Sequence, residues 1–366
     1  MEQDKVGIVE VARLANVSVA TVSRVMNRKS GVSQKTREAV ERAVAELGYE
    51  RTGSVEGIVG VITPGLSTPV FAALAEWIGL ALAPHGLRAM ICPALPGGVQ
   101  ERDYLKSLLD IGAAGIVFCS ASNTLNTFDP ELTELLASRR VPYVCVNGLF
   151  NGVDGAAFST DDVCASELAV RHLHALGHTR IGMAAGPEGN KPSDRRVAGF
   201  RSASAQLGLL QAERLVVRQT YSLEGGQYAA DHLLRLGVSA IVAASDQMAL
   251  GAIRAIRRHG LSVPREISLV GYDDGPLMEF TDPPLTTVRQ PIDRIGNAVA
   301  RGLIGLLAGR QVPAGELMFQ PELIVRGTTG PYREREPERA RAQVQASPLQ
   351  VSPQPSPSQP QAESPS

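Results

Sequence analysis

Apolar positions change their rhythm twice along this chain. Between residues 6 and 49 they recur every three or four residues, as on one face of a helix. Ala39, Val40, Ala43, Val44 and Leu47 form one such series; Ser33 stands where a cap belongs and Gly48 where the helix should stop. Two shorter helical patterns precede it, over residues 8–15 and from about residue 19 to 27. From residue 58 the apolar residues gather into short runs separated by helical stretches. "IVGVITP", "LRAMICPA", "AAGIVFCS" and "VPYVCVN" make a first series, and "TRIGMAAGP", "RLVVRQT", "AIVAAS" and "ISLVGYDD" a second. Runs of this kind read as buried strands of a parallel sheet with helices on both faces. Two series predict two doubly wound lobes, with ligand expected at the carboxyl ends of the strands between them. Residues 286–330 are expected to return and complete both sheets.

After residue 330 the rhythm stops. "REREPERARAQVQ" and "SPLQVSPQPSPSQPQAESPS" are rich in Pro, Ser and Gln and offer little to bury, which predicts a disordered tail over 331–366. That tail has no apolar heptad to drive further assembly.

Composition narrows the function. With 44% hydrophobic and 20% charged residues and a net charge of −1, no global field draws the molecule to nucleic acid or membrane, so any such affinity must be local. The amino-terminal residues are acidic and mixed rather than a basic start before an apolar core, which argues for a cytoplasmic protein. No apolar stretch is long enough to span a bilayer. Cys92, Cys119, Cys145 and Cys164 lack CxxC spacing and read as strand-core thiols. His172, His174 and His178 in "RHLHALGH" suggest a helix end rather than a metal site. No motif calls for a cofactor or a catalytic centre.

A local positive field does exist. From Val11 to Arg37 there are six basic residues (Arg13, Arg24, Arg28, Lys29, Lys35 and Arg37) and no acid. The same stretch contains "VARLANVSVATVSRVMN", which fits a helix–turn–helix. Asn16 and Val17 turn the chain, and Ser18 caps the second helix, whose amino terminus suits a phosphate. Val19 and Ala20 are small and apolar, suited to thymine methyl groups, and Arg24 can reach a guanine edge or a phosphate.

Together with "VSQKTREAVERAVAELGY", this stretch resembles the DNA-binding domain of the LacI/GalR family of bacterial transcriptional regulators. "RHLHALGHTRIGMAAGP", "SDRRVAGF", "ASDQMALGAIRAIRRHGLSVPREISLVGYDD" and "PPLTTVRQP" resemble that family's effector-binding core, in order, so the likeness covers residues 6–330. It implies a helix–turn–helix domain over 6–49, a linker over 50–57 and a two-lobed core over 58–330 like the periplasmic sugar-binding proteins. It further implies a homodimeric regulator, a repressor by expectation, that binds a palindromic double-stranded DNA operator in the nucleoid and senses a sugar-like effector. A transport sugar-binding protein shares the core but would leave the DNA module unexplained. The implied DNA contacts are Ser18, Val19, Ala20, Thr21, Ser23, Arg24, Asn27, Ser33 and Thr36. The implied effector site comprises Asn147, Phe158, Arg196, Tyr221, Ser245, Asp273 and Gln290. An Arg–Asp pair reaching from opposite lobes suits hydroxyls that both donate and accept, and Tyr221 would stack on a sugar face.

Three departures from the family pattern matter. Ser245 stands where Asn is usual and Asn147 where Asp is common, so the effector should differ from well-known family sugars. Lys191 and Arg195 beside Arg196 leave room for an anionic effector. Finally, "ERTGSVEG" carries neither the Pro-Asn turn nor the Ala-Arg-x-Leu helix that family members push into the minor groove, and two glycines in eight residues make it a poor helix former. The hinge helix is therefore expected to be missing, leaving a flexible tether.

Overall fold

A computed structural model describes residues 8–26, 31–47, 57–95, 97–209 and 212–334. The linker expectation and the tail beyond residue 334 fall outside these residues.

Three helices open the chain: α1 (Ile8–Leu14), α2 (Val19–Met26) and α3 (Gln34–Leu47). Val11 and Ala12 of α1, Val22 and Val25 of α2, and Val40 and Ala43 of α3 bury one another in a small separate core. The turn between α1 and α2 places Asn16 at φ 53°, a left-handed conformation that Asn tolerates better than most side chains.

The next part is an all-parallel lobe. It contains β1 (Gly57–Thr63), α4 (Pro69–Leu82), β2 (Leu87–Pro93), α5 (Glu101–Asp110), β3 (Gly115–Cys119), α6 (Pro130–Arg139), β4 (Tyr143–Val146) and β5 (Ala156–Thr160). A second lobe follows with α7 (Asp162–Ala175), β6 (Ile181–Ala185), α8 (Lys191–Gln206), β7 (Val216–Arg218), α9 (Leu223–Arg235), β8 (Ala240–Ala243), α10 (Asp246–Arg258), β9 (Ser268–Asp273) and β10 (Thr287–Arg289). The chain then returns as α11 (Ile292–Leu307) and β11 (Gly315–Phe319) to the first lobe, and crosses again to place β12 (Glu322–Ile324) in the second. The two sheets are ordered β2-β1-β3-β4-β5-β11 and β7-β6-β8-β9-β10-β12, with only β12 antiparallel.

The strand cores follow from composition. "GIVFC" of β3 and "AIVA" of β8 are buried along their whole length, as strands covered by helices on both faces must be. Helices pack closely where glycine allows it: a Cβ on Gly251 of α10 would lie 2.0 Å from the Leu223 carbonyl oxygen of α9. Past residue 330 the chain stays on the second lobe, against the expectation of disorder from there. The Tyr332 amide donates to the Leu176 carbonyl at 2.8 Å, and its ring meets His178 edge-on, 5.8 Å between centroids.

Three crossings join the lobes, after β5, β10 and β11. They are knitted together. The Asp161 amide donates to the Phe319 carbonyl at 2.8 Å, and Gln320 Nε2 donates to Asp161 Oδ2 at 3.2 Å. Thr160 Oγ1 donates to Gln290 Oε1 at 2.8 Å, both residues being buried. The carboxyl ends of both sheets meet at these crossings, so loop residues from either lobe converge there.

Candidate functional site

Two sites emerge. In the amino-terminal module, Ser18 and Ser33 build the same cap twice. Ser18 Oγ accepts the Thr21 amide at 3.1 Å and shares a hydrogen bond with Thr21 Oγ1 at 2.9 Å; Ser33 Oγ does the same with Thr36 at 3.2 and 2.8 Å. Each cap leaves a helix amino terminus facing outward with hydroxyls beside it, an arrangement that favours an anion. Val19, Ala20 and Arg24 are exposed on α2, while Val22 and Val25 hold that helix down. An exposed valine opening a helix contributes little to folding, so its side chain is free for contact. Ser23 lies on α2, and Asn27 falls outside the described residues.

The second site is a buried polar cluster at the crossings. Arg196, on the second turn of α8, is sandwiched by two phenol rings: its guanidinium carbon lies 4.2 Å from the Tyr272 centroid and 5.5 Å from that of Tyr221. Its Nη1 donates to Asp162 Oδ1 at 3.1 Å and its Nη2 to the Tyr221 hydroxyl at 2.6 Å. Tyr272 donates its own hydroxyl to the same Asp162 oxygen at 2.8 Å. Gly186 makes room for Tyr221, since a Cβ there would lie 2.3 Å from the ring.

Asp273 ends β9 at φ 118°, a conformation uncommon for any residue with a side chain, and such strain collects at functional positions. Arg196 on α8 and Asp273 at the end of β9 both belong to the second lobe, so they do not grip from opposite lobes as expected. The link to the first lobe is Gln290, whose Nε2 donates to Asp273 Oδ1 at 2.7 Å and whose Oε1 accepts from Thr160. Burial pushes the Asp273 carboxyl well above its ordinary range; Asp246 adds to this while Arg196 works against it. Burial likewise raises Asp162, against the pull of Arg196 and the Tyr272 hydroxyl. Asp246 is pushed up to about 7, chiefly by burial, although it accepts from Thr287 Oγ1 at 2.6 Å and the Gly275 amide at 2.8 Å.

The remaining expected residues divide. Asn147, at φ 65°, donates to Ser120 Oγ at 2.7 Å and keeps its buried Oδ1 without a partner. Ser245 spends its hydroxyl as a cap, accepting the Met248 amide at 3.2 Å. Phe158 does not reach the cleft. Its place on β5 shares a face with Ala156, which turns the ring into the core under α11, against the space left by Gly302. Lys191 and Arg195 are also not free for an anion: Lys191 Nζ donates to the Asn123 carbonyl at 3.2 Å and to that of Leu149, and Arg195 forks onto Glu316. Asp162 is barely marked in the sequence. A second acid directly after Asp161 was its only signal, and either could have been a helix cap. Asp161 takes that role, accepting the Cys164 amide at 3.0 Å. The histidines disperse, with His172 on Thr329 and His178 between Ser239 and Ser268.

Comparison with known proteins decides the lineage. Residues 7–52 match the bacterial regulatory proteins of the lacI family, and residues 170–329 a periplasmic binding protein-like domain. The HTH-type transcriptional regulator MalR of Streptomyces coelicolor is 46% identical over 330 residues, covering 88% of this chain and 96% of that protein. The chain belongs to the lacI family. It is a DNA-binding transcription regulator with a helix–turn–helix and a binding-protein-like core. Among solved structures, a complex of the transcriptional regulator CelR with cellobiose superposes with a TM-score of 0.68 at 30% identity, covering 88% of this chain and 99% of that one. A lac repressor dimer bound to operator and an anti-inducer gives 0.65 at 29% identity, covering 89% and 100%. Among the described residues of this lacI-family chain, no helix is long and apolar enough to cross a membrane.

Proposed function

We propose that this protein is an effector-responsive repressor of the bacterial cytoplasm, which binds a palindromic operator as a homodimer and releases or tightens its grip when a sugar-like molecule enters between the lobes. The observation that carries this reading is the Arg196–Asp162–Tyr272 cluster with Asp273. It is a buried polar site at the meeting point of two lobes, in a chain that also bears a helix–turn–helix. Buried polar groups hold few open valences in a settled core, yet Arg196 Nε, Asp162 Oδ2 and Asn147 Oδ1 all lack partners. One is a donor and two are acceptors, the mixed demand that hydroxyl groups can meet.

Two features support the dimer. Leu223, Leu277 and Phe280 are exposed in the second lobe; Leu223 lines a groove with Leu250 and Arg254, which continues past Ile253, Arg257 and Arg258, a mixed apolar and basic surface. The lac repressor relative is a dimer on its operator, and a palindromic site calls for two recognition helices. Ser18, Val19, Ala20, Thr21, Ser23, Arg24, Asn27, Ser33 and Thr36 are the proposed DNA contacts. Arg196, Asp273, Gln290, Asn147, Tyr221 and Ser245 are the proposed effector contacts, with Asp162 added.

The test is selection of operator DNA by the full chain from a random library, followed by fluorescence anisotropy on the selected duplex with a panel of mono- and disaccharides. A two-fold symmetric site whose affinity shifts with one sugar is expected. A chain that selects no sequence, or whose binding no sugar alters, contradicts the reading.

A further inference from the structure

We infer that Asp162 sets the charge of the ligand this site takes: by neutralising Arg196 inside the protein, it reserves the cleft for uncharged hydroxylated ligands and turns away phosphorylated or acidic ones. This rests on the effector reading above and adds the determinant of selectivity.

Among the described residues, both arginines of this cluster are paired with a carboxylate of the chain itself, and the neighbouring Lys191 is held by main-chain oxygens. Arg196 is 7% exposed and Asp162 1%, and they meet at 3.1 Å. A guanidinium cannot shed its proton, so a buried Arg196 needs a buried anion, and Asp162 supplies it. Arg195 faces Glu316 with contacts at 2.7 and 2.5 Å, and Ser159 donates to the same carboxylate. Lys191 points its ammonium at two main-chain carbonyls. An incoming phosphate or carboxylate would meet Arg196 with its charge already answered. Beside Arg196 it would also approach the Asp162 carboxylate, whose Oδ2 has no hydrogen-bond partner and, being an acceptor only, offers an anion nothing. At a few ångströms in a poorly screened site, like charges repel by several kcal/mol. A hydroxyl meets no such penalty: it donates to Asp162 Oδ2 and accepts from Arg196 Nε. Burial raises the Asp273 carboxyl well above its ordinary range, and Gln290 already donates to one of its oxygens.

Substitution should therefore reverse the preference. Asp162→Asn keeps the shape, removes the counter-ion and leaves Arg196 seeking an anion. The probes are inorganic phosphate and glucose 6-phosphate, titrated calorimetrically into the full chain at matched ionic strength. The same titrations are run on Asp162→Asn, on Arg196→Gln and on the double variant, which separates the cleft from the basic DNA-binding face. Wild type should show no anion binding that depends on Arg196. Asp162→Asn should gain phosphate affinity by roughly tenfold to a hundredfold, the scale of one or two charge-assisted hydrogen bonds, and the double variant should lose that gain. Phosphate binding by wild type that disappears in Arg196→Gln overturns the inference, as does a folded Asp162→Asn that gains nothing. If Asp162→Asn does not fold, the comparison of wild type with Arg196→Gln still decides. A gain in Asp162→Asn alongside an operator that no sugar affects would uphold the charge assignment and refute the effector reading.

Discussion

Arg195 of one lobe forks onto Glu316 of the other, its two terminal nitrogens 2.7 and 2.5 Å from the two carboxylate oxygens. The pair lies beside the buried cluster and joins α8 of the second lobe to β11 of the first, so separating the lobes has to break it. Burial works against the Glu316 charge, but the Arg195 fork, the Ser159 hydroxyl and Lys191 outweigh it and hold the carboxyl below its usual range.

Breaking this pair should open the protein. The side chains are 26% and 16% exposed, so the loss for Glu316→Gln is placed at about 1–2 kcal/mol, less than for a fully buried pair. Small-angle scattering should show a larger radius for Glu316→Gln at neutral pH. Because the folded pKa of Glu316 is depressed, its contribution is present above the ordinary carboxylate value and is lost only as pH falls through the lower folded one. Wild type should thus stay closed in mild acid. Equal radii for variant and wild type would dismiss the latch.

Arg196→Ala should cost far more. It strands Asp162 in the core without a counter-ion, a loss of about 3–5 kcal/mol, readable as a fall in the urea midpoint. Asp273→Ala should abolish the response to ligand and leave operator affinity intact. Full calorimetric affinity for the active sugar in Asp273→Ala would remove that residue from the site.

Asp246 gives a pH signature. Its folded pKa of about 7 lies above the ordinary value of 3.8, so the folded chain holds this proton more tightly than the unfolded one. The stability it contributes is complete below about pH 4 and is lost as pH rises toward 7, together with that of Asp273, whose carboxyl is raised and acts on Asp246. Asp246→Asn should flatten that decline in a series of urea unfolding curves between pH 4.5 and 8. An unchanged slope would show that Asp246 does not carry it.

Operator affinity should fall by about 1–3 kcal/mol in Arg24→Ala, and Val19→Glu should weaken binding similarly by meeting phosphate with a carboxylate. Anisotropy on the selected duplex measures both. Arg24→Ala binding with wild-type affinity would reassign that residue.

A chain ending at Glu334 should remain dimeric, and Phe280→Asp should be monomeric by light scattering. Tyr332 is retained in this truncation because it packs against His178. Deletion of residues 335–366 that converts a tetramer to a dimer would contradict the assembly proposed.

Periodicity gave away the lobes because buried parallel strands are apolar on both faces, and that pattern survives without neighbours. It was less informative where strands are short or mixed. Residues 156–160, "AAFST", carry only one large apolar side chain, so nothing marked them as the strand that turns Phe158 into the core. The cluster was partly legible. Arg196, Asp273 and Gln290 sit in motifs that announce them, whereas the role of Asp162 depends on Tyr272 and Arg196 arriving from strands and helices 110 and 34 residues away. Likewise Arg195 reads as a free charge until the second crossing brings Glu316 back, and Lys191 until the fold sets its ammonium against the Asn123 and Leu149 carbonyls. Pairing across such distances leaves no local trace.

The return of β11 and β12 has a consequence for how the molecule is made. Ser159 and Glu316, joined by a hydrogen bond on neighbouring strands, are 157 residues apart in the chain. While the protein is being synthesised, the first sheet waits with β5 as an unpaired edge until almost the whole chain has emerged. Closures this distant are slow, and open edges recruit other chains. A product stopped before Gly315 would carry both sheets unfinished, and its natural fate is aggregation rather than a smaller working regulator.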